Sequence, residues 1–562
     1  MKTESGLDFA SESPYGADVV DTVPRGWSAW FGGPNTAIGR RIAPRIAPVA
    51  GDNPDDSDSG LSSNAILEKQ LAEEAGSAIQ YRTCSWQKTA ALLFSEYICL
   101  VRIDSVAIMH NAHMSQITLH DALFLALWVT PTFLAIMSFP WSYSVLGLVP
   151  GIILTVVQAL LVLYTSLILW QFCLRHPEVR DVCDIGQMLF WNKKWAWWFT
   201  AVMFVLNNTF IQALHVLTGA KYVNTLIGGQ TDAITCQTVT IGLIVALISW
   251  IASLPRTFGV LSHLGTGSAI FTFISVILAV IFAGIENHPA GYTLVPTTDP
   301  LTGKALPSGA PIVTLVPLAS TTFVNGLNAF LNISYTFIGQ ITLPSFIAEM
   351  KEPRDFPKAL WACTILEIIV FSIVGGAVYA YTGNQYITSP AFGSLQPLYK
   401  KIAFSFMIPT IIFLGVLYAS VSARFVFLRI FHNSRHKNEN TVVGWASWAA
   451  ILFATWVLAF VIANSIPFFS SLLSLLSSLF DSFFGFIFWG VAYFRMRKAD
   501  GAVSLIKDRT LRGWFEGILN IIIILTGVFF LSAGTYATIQ GIIDEYEAGT
   551  VGRPFSCASN GI

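Results

Sequence analysis

Apolar residues run in long blocks from about residue 122 to residue 539, with polar residues gathered between them. Ten blocks are long enough to cross roughly 30 Å of bilayer hydrocarbon. They cover 151–173, 195–219, 235–254, 258–285, 321–350, 357–382, 401–431, 442–463, 468–494 and 513–539. One more block, 135–151, reads AIMSFPWSYSVLGLVPG and makes a poor membrane helix. Pro140 lacks the amide donor of a helix interior and its ring clashes with the preceding turn, so the pattern predicts a break there. Gly147, Pro150 and Gly151 interrupt the pattern again. A break at membrane depth frees N–H and C=O groups that lipid cannot satisfy; it is tolerated only where it is buried in protein or lines a cavity.

The block at 321–350 repeats the oddity, with Gly339 and Pro344 in its middle and Asn332, Ser334, Tyr335, Thr336 and Gln340 around them. Two interrupted spans at matching places in two five-span halves point to an inverted-repeat transporter with its site near the midplane. The expected fold is therefore all-α and polytopic, with about 11 transmembrane helices, a 5+5 inverted repeat and broken helices 1 and 6.

Composition agrees with this. Hydrophobic residues make up 54% and charged residues 12% of the 562-residue chain, against about 25% charged in soluble proteins. A net charge of −1 gives no reason to expect a nucleic-acid partner. Residues 1–84 are polar, rich in Gly, Pro and Ser, and carry an acidic run at 51–60; they read as a disordered cytosolic tail with a short amphipathic helix at 65–79. The membrane domain is expected at 85–540 and a short outer tail at 541–562. No charged segment leads directly into an apolar one at the N-terminus, so no cleaved signal peptide is expected. The seven cysteines show no CxxC spacing. Cys236 and Cys557 fall on the same predicted side and could pair, but two free thiols is the expectation. Both Asn-x-Ser/Thr sequons, at Asn207 and Asn332, fall inside predicted spans, where glycosylation is not expected.

Loop charge sets the predicted orientation. One side carries Arg175, Arg180, Lys193, Lys194, Arg256, Lys351, Arg354, Lys358, Arg429, Arg435, Lys437 and six further cations between Arg495 and Arg512. The other carries only Lys221, Lys304, Lys400, Lys401 and Arg553. The positive side is cytosolic, which puts the N-terminus inside, the C-terminus outside and the Pro/Thr/Gly-rich loop 286–320 on the outer face.

Broken helices suit a zwitterion. The second half-helix after a break begins with free N–H groups and the positive end of its dipole, which attract a carboxylate. The first half ends in free carbonyls, which accept hydrogen bonds from an ammonium. An amino acid is the simplest ligand with both groups on one carbon.

The residues also carry a resemblance. Ile136-Met137-Ser138-Phe139-Pro140, followed by Gly147-Leu148-Val149-Pro150-Gly151, resembles the first span of the amino acid/auxin permease family in its fungal neutral amino acid permease branch. Asn332 to Gln340, then Pro344-Ser345-Phe346-Ile347-Ala348-Glu349-Met350 and Pro353-Arg354-Asp355-Phe356-Pro357-Lys358-Ala359-Leu360, resembles that branch's sixth span and following loop. The resemblance implies a leucine-transporter-type fold, eleven spans and proton-coupled import of neutral amino acids, aromatic and aliphatic, at the plasma membrane. It implies no cofactor beyond the proton gradient. It also exposes an interruption. Family members read roughly Glu-Thr-Ile-Ser-Leu-Gly-Ile-Leu-Ser-Leu-Pro, whereas this chain has Glu96-Tyr97-Ile98-Cys99-Leu100, then residues 101–134, then Ala135. Removing 101–134 restores the pattern without a gap. Val codons begin GT, and a Leu codon CTA before the G of an Ala codon ends in AG, so 101–134 reads as a translated intron. The competing reading is a genuine insertion whose residues 122–134 supply the first half-helix. Spliced transcripts that run through 101–134 as the main form would sink the intron reading.

The candidate site follows. Backbone at Ile136, Met137, Ser138 and Phe139 is expected to meet the carboxylate, with the Ser138 hydroxyl either joining it or only capping a half-helix. Tyr335, Thr336, Phe337 and Gly339 are expected to bound the side-chain pocket and help hold the ammonium. Asn208, with Asn207 and Gln212, is a polar pocket candidate on the third span, where interhelical hydrogen bonding competes as an explanation. Tyr418, Ser420 and Ser422 mark the eighth span, where related folds place a cation. Intramembrane ionisable groups are functional candidates: His215, His263, Glu367 and Asp481, with Glu96 if the intron reading holds. Of these His263, Glu96 and Glu367 are the proton-coupling candidates, His263 first because imidazole titrates near neutral pH. Lysine is expected to be excluded because no acidic residue sits at either break. No HExxH, GxSxG or clustered ligand set suggests an enzyme or a metal site. A vacuolar exporter of the same family and a non-transporting amino acid sensor would share this sequence pattern.

Overall fold

A computed structural model describes most residues from 133 to 549, together with 554, 555 and 557; residues 1–132 and short stretches, the longest 228–236 and 500–510, are left out. The expected tail, the helix at 65–79, Glu96 and residues 101–132 thus lie outside the described residues.

Eleven crossings follow in the expected order. The first is Phe133–Ile136 with Phe139–Leu146, the second Leu148–Arg175, the third Lys194–Ile227, the fourth Gln237–Ala252 and the fifth Phe258–Ile285. The sixth is Phe323–Phe337, resuming at Leu343. The seventh is Phe356–Thr382, the eighth Ile408–Ile430 and the ninth Val442–Ser465. The tenth is Phe469–Ala499 and the eleventh Gly513–Glu547. Five is odd, so the group that begins with the broken sixth span enters from the face opposite the group that begins with the broken first span. That makes the repeat inverted.

The molecule is apolar outside and polar within. Ile365, Ile369 and Ile373 form an i, i+4, i+8 stripe on the seventh span, 52%, 49% and 59% exposed. Gln158, Gln212, Asn332, Gln340 and Asp481 are buried. Hydrocarbon solvent favours this arrangement, because polar side chains find partners only against other helices. The third and tenth spans are 72% and 83% buried and form the centre, whereas the ninth and eleventh, at 28% and 33%, lie at the rim.

The breaks differ from expectation in one respect. Pro140 does not interrupt a helix but is the second residue of one, Phe139–Leu146, and the break precedes it at Met137–Ser138. Pro344 likewise follows the first residue of the resumed sixth span, and Pro150 is third in the second span. A first-turn N–H has no intrahelical partner anyway, so proline costs nothing there and its fixed φ suits the helix. Gly147, with φ 82°, turns the chain from the first span into the second; a Cβ there would lie 2.5 Å from the Val316 carbonyl carbon.

That contact shows what the loop 286–320 does. It holds a small hairpin, Thr297–Thr298 with Ala305–Leu306. Its Thr314 and Leu315 carbonyls accept the Leu148 and Val149 amides, at 3.0 and 3.1 Å, and so cap the free start of the second span. The block expected at 401–431 divides: Pro397–Ser405 is a separate helix, and Pro409 stands in the first turn of the eighth span.

Cys557 is disulfide-bonded, which overturns the free-thiol expectation for it; Cys173, Cys183 and Cys363 are free. At the end predicted to be cytosolic, Arg429 meets Asp181 at 3.3 Å and Asp184 at 3.5 Å and lies 4.4 Å from the Trp197 ring, which ties the loop helix Val182–Leu189 to the third and eighth spans. Burial, with the Asp181 carboxylate beside it, pushes the Asp184 carboxyl above the usual carboxylate range, against the pull of Arg429.

Candidate functional site

The two breaks meet in the core. Phe139 begins the half-helix after the first break and Phe337 ends the one before the sixth; their rings pack edge-to-face at 6.3 Å, and both lie against Phe371 of the seventh span at 5.1 and 5.3 Å. Close approach depends on glycine. Cβ atoms on Gly151 and Gly375 would fall 2.4 and 2.7 Å from the Tyr143 ring.

At the first break the freed groups are used locally. The Ser138 amide and hydroxyl both donate to the Ala135 carbonyl, at 3.0 and 2.7 Å. The Met137 carbonyl accepts the Ala391 amide at 2.8 Å. The Ser138 hydroxyl therefore closes the end of the first segment. Ile136, Met137, Ser138 and Phe139 are all buried.

The sixth break is more open. Ile338 is extended, with φ −99° and ψ 108°. Thr342 donates its amide and hydroxyl to the Gly339 carbonyl, at 3.1 and 3.0 Å. Gln340 Nε2 reaches Thr165 of the second span at 3.0 Å. Both amide atoms of buried Asn332 and the Ser334 hydroxyl have no hydrogen-bond partner among the described residues. Buried polar groups without partners are rare in native folds, and each one calls for an explanation such as a missing water or ligand.

A cavity opens against this break. It is lined by Ala135 from the first span, Tyr335, Thr336, Ile338, Gly339 and Ile341 from the sixth, and Asn207, Ile211 and His215 from the third. Leu414 and Tyr418 of the eighth and Asp481 and Phe484 of the tenth complete it. Its volume is about 50 Å³; a single water needs about 10–15 Å³, so it has room for several waters or a small polar head group. Asn207, Ile211 and His215 stand four residues apart, on one face of a helix.

Of the expected site residues, Tyr335, Thr336 and Gly339 are brought together on the cavity wall, with Ala135 beside the first break. Phe337 is turned to Phe139 instead. Asn208 faces the eighth span, donating to Ser422 at 3.0 Å while its own oxygen accepts from Asn207; it ties two helices, and its neighbour Asn207 is the one at the cavity. Glu367 is buried in the seventh span, accepts from Cys363 Sγ at 3.3 Å, and is not on the cavity wall. His263 lies on the fifth span with its side chain outside the described residues, as Glu96 is entirely.

Two lining residues, His215 and Asp481, were not placed in the site by sequence. Both were legible as ionisable groups inside spans; the 207–211–215 spacing was the further signal that puts His215 on the stripe with Asn207. Asp481 also corrects the stated ground for excluding lysine, since a carboxylate does stand opposite the sixth break.

The chain is similar to several known proteins. A family profile described as transmembrane amino acid transporter protein matches residues 132–540. The N amino acid transport system protein of Neurospora crassa is 32% identical over 424 residues, covering 75% of this chain and 84% of that one. A transmembrane transporter of Gibberella moniliformis is 29% identical over 523 residues, covering 92% and 95%. Among solved structures, MhsT in complex with L-phenylalanine aligns with a TM-score of 0.42 at 13% identity, over 71% of this chain and 94% of that one.

Proposed function

Since the chain belongs to the transmembrane amino acid transporter protein family, we propose that it imports neutral amino acids, aliphatic and aromatic, across the plasma membrane by alternating access with proton symport. The observation that carries this reading is the cavity at the sixth break. It joins a helix break that borders the cavity, able to meet the charged backbone of an amino acid, to a wall of Ile211, Ile338, Ile341, Leu414 and Phe484, able to take an apolar side chain. Polar contact at one end and apolar contact at the other is the usual make-up of a small-molecule site. Tyr335, Thr336 and Gly339 bound the pocket, and the backbone at Ile136, Met137, Ser138 and Phe139, tied up locally in this conformation, reaches the carboxylate only if the first break opens during the transport cycle.

The name of the Neurospora relative supports amino acids as the cargo. The experiment is uptake of labelled phenylalanine into a permease-deficient host, with unlabelled leucine, glycine and lysine as competitors. Leucine and glycine should inhibit and lysine should not. Inhibition by lysine as strong as by leucine would end the neutral-substrate reading, and binding without accumulation would make the protein a sensor.

A further inference from the structure

The tenth span is the most buried of the long spans, and its middle is not an α-helix. From Ser477 to Ile487 it winds as a π-helix. A π segment shifts the register of a helix and is frequent where a side chain must be aimed at a functional site. The side chain aimed here is Asp481, near the centre of the segment. It lines the cavity, is only 5% exposed, and has one carboxylate oxygen without a hydrogen-bond partner among the described residues.

A carboxylate in that setting needs a positive partner or a proton. Among the described residues the lining includes no Lys or Arg. The titratable groups facing Asp481 across the cavity are His215, Tyr335 and Tyr418. The His215 ring meets the Ile411 backbone, and its Nδ1 has no partner among the described residues. Among the described residues, the elements packed on the π segment place no Lys or Arg on the cavity wall. On the eleventh span Glu516 accepts from Tyr493 and Glu545 from Ser471, near opposite ends of that span. On the second span the Tyr164 hydroxyl accepts from Asn520, and Arg175, at the span's end, donates to the Met496 carbonyl. The sixth span is held at its break by Gln340 to Thr165.

We infer that Asp481 carries the co-transported proton, as a carboxylic acid while the cavity is closed around an amino acid and as a carboxylate when the cavity is open to water. The inference rests on the symport reading above. The carboxylate takes a proton from outside water; the acid returns it to inside water once the inner path opens. No other group need change charge. Coupling follows from desolvation: a substrate in the cavity leaves no water to solvate a bare carboxylate, so the loaded cavity closes over the neutral acid, whereas the empty cavity, with room for several waters, returns with the carboxylate hydrated. The loaded cavity is then uncharged apart from the substrate, which gives neutral selectivity a physical ground to replace the one that Asp481 removed.

The test uses full-length protein in sodium-free proteoliposomes, comparing phenylalanine uptake with and without an inward proton gradient. Wild type should respond to the gradient by about tenfold, the scale of a typical coupling energy. In Asp481→Asn the ratio should fall to near one, and Asp481→Glu should restore it. Because Asp481→Asn could abolish transport altogether, phenylalanine binding in detergent is also measured against pH: wild-type affinity should vary with pH and the Asn variant's should not. A gradient response that survives in Asp481→Asn overturns the assignment, as does binding by that variant that still follows pH. In a separate arm with an inward sodium gradient added, a dependence on sodium that is lost in Asp481→Asn would make Asp481 a sodium ligand and also overturns it. A wild type indifferent to protons defeats the symport reading itself, a result separable from the others because it appears before any substitution is made.

Discussion

The first and sixth spans break in the same way and end up differently. At Met137–Ser138 the freed groups are spent within the protein, on Ala135 and on Ala391. At Ile338–Gly339 the cavity stands open, and Asn332 and Ser334 hold polar atoms with no partner among the described residues. A symmetric sequence device has produced one closed break and one open one. The first span is locked against the loop 286–320 at Gly147 and against the seventh span at Gly375, so it has little room to change. The sixth is held at Gln340 and Thr342 but faces space at Tyr335 and Thr336. In this conformation the sixth break lines the cavity and the first is closed beside it.

The sharpest way to break this comparison is to fill the open break. Gly339→Leu should cut phenylalanine uptake by about tenfold to a hundredfold, the equivalent of the ~1–3 kcal/mol by which extra methylenes overpack a site. Normal uptake at wild-type surface abundance would show that the cavity is not on the substrate's path. Asn332→Leu should separate function from stability: it removes an unpaired buried amide that costs about 1–3 kcal/mol, so the detergent-solubilised protein should melt at a higher temperature while uptake falls several-fold. A lower melting temperature would mean that the amide already has a structural partner. The smallest effect is expected at the closed break. Ser138→Ala removes one neutral hydrogen bond, worth about 1 kcal/mol of stability, and should change uptake by no more than about threefold. A larger loss of uptake would put the hydroxyl on the substrate after all and bring the two breaks back to equivalence.

The chain by itself fixed the number and order of the spans, because an apolar block of about 20 residues has few alternatives in a bilayer. It fixed the existence of two breaks, because Pro and Gly cannot be hidden in a lipid-facing helix. It also marked every ionisable group within a span. It did not place the first break to the residue. Proline forbids the amide of a helix interior but welcomes the first turn, and only the observed caps at Ser138 and Gly147 decide between those roles. Nor could it sort Asn207 from Asn208, or Asp481 from Glu367. Adjacent residues on a helix point about 100° apart, and which of them meets the cavity depends on how the third, seventh and tenth spans are rotated against their neighbours. That rotation is set by packing between segments distant in sequence, by contacts such as Phe139 on Phe337 and Gly375 under Tyr143. The sequence determined what crosses the membrane and where the crossings are weak; the tertiary structure decided which weak point is open and which charged group looks into it.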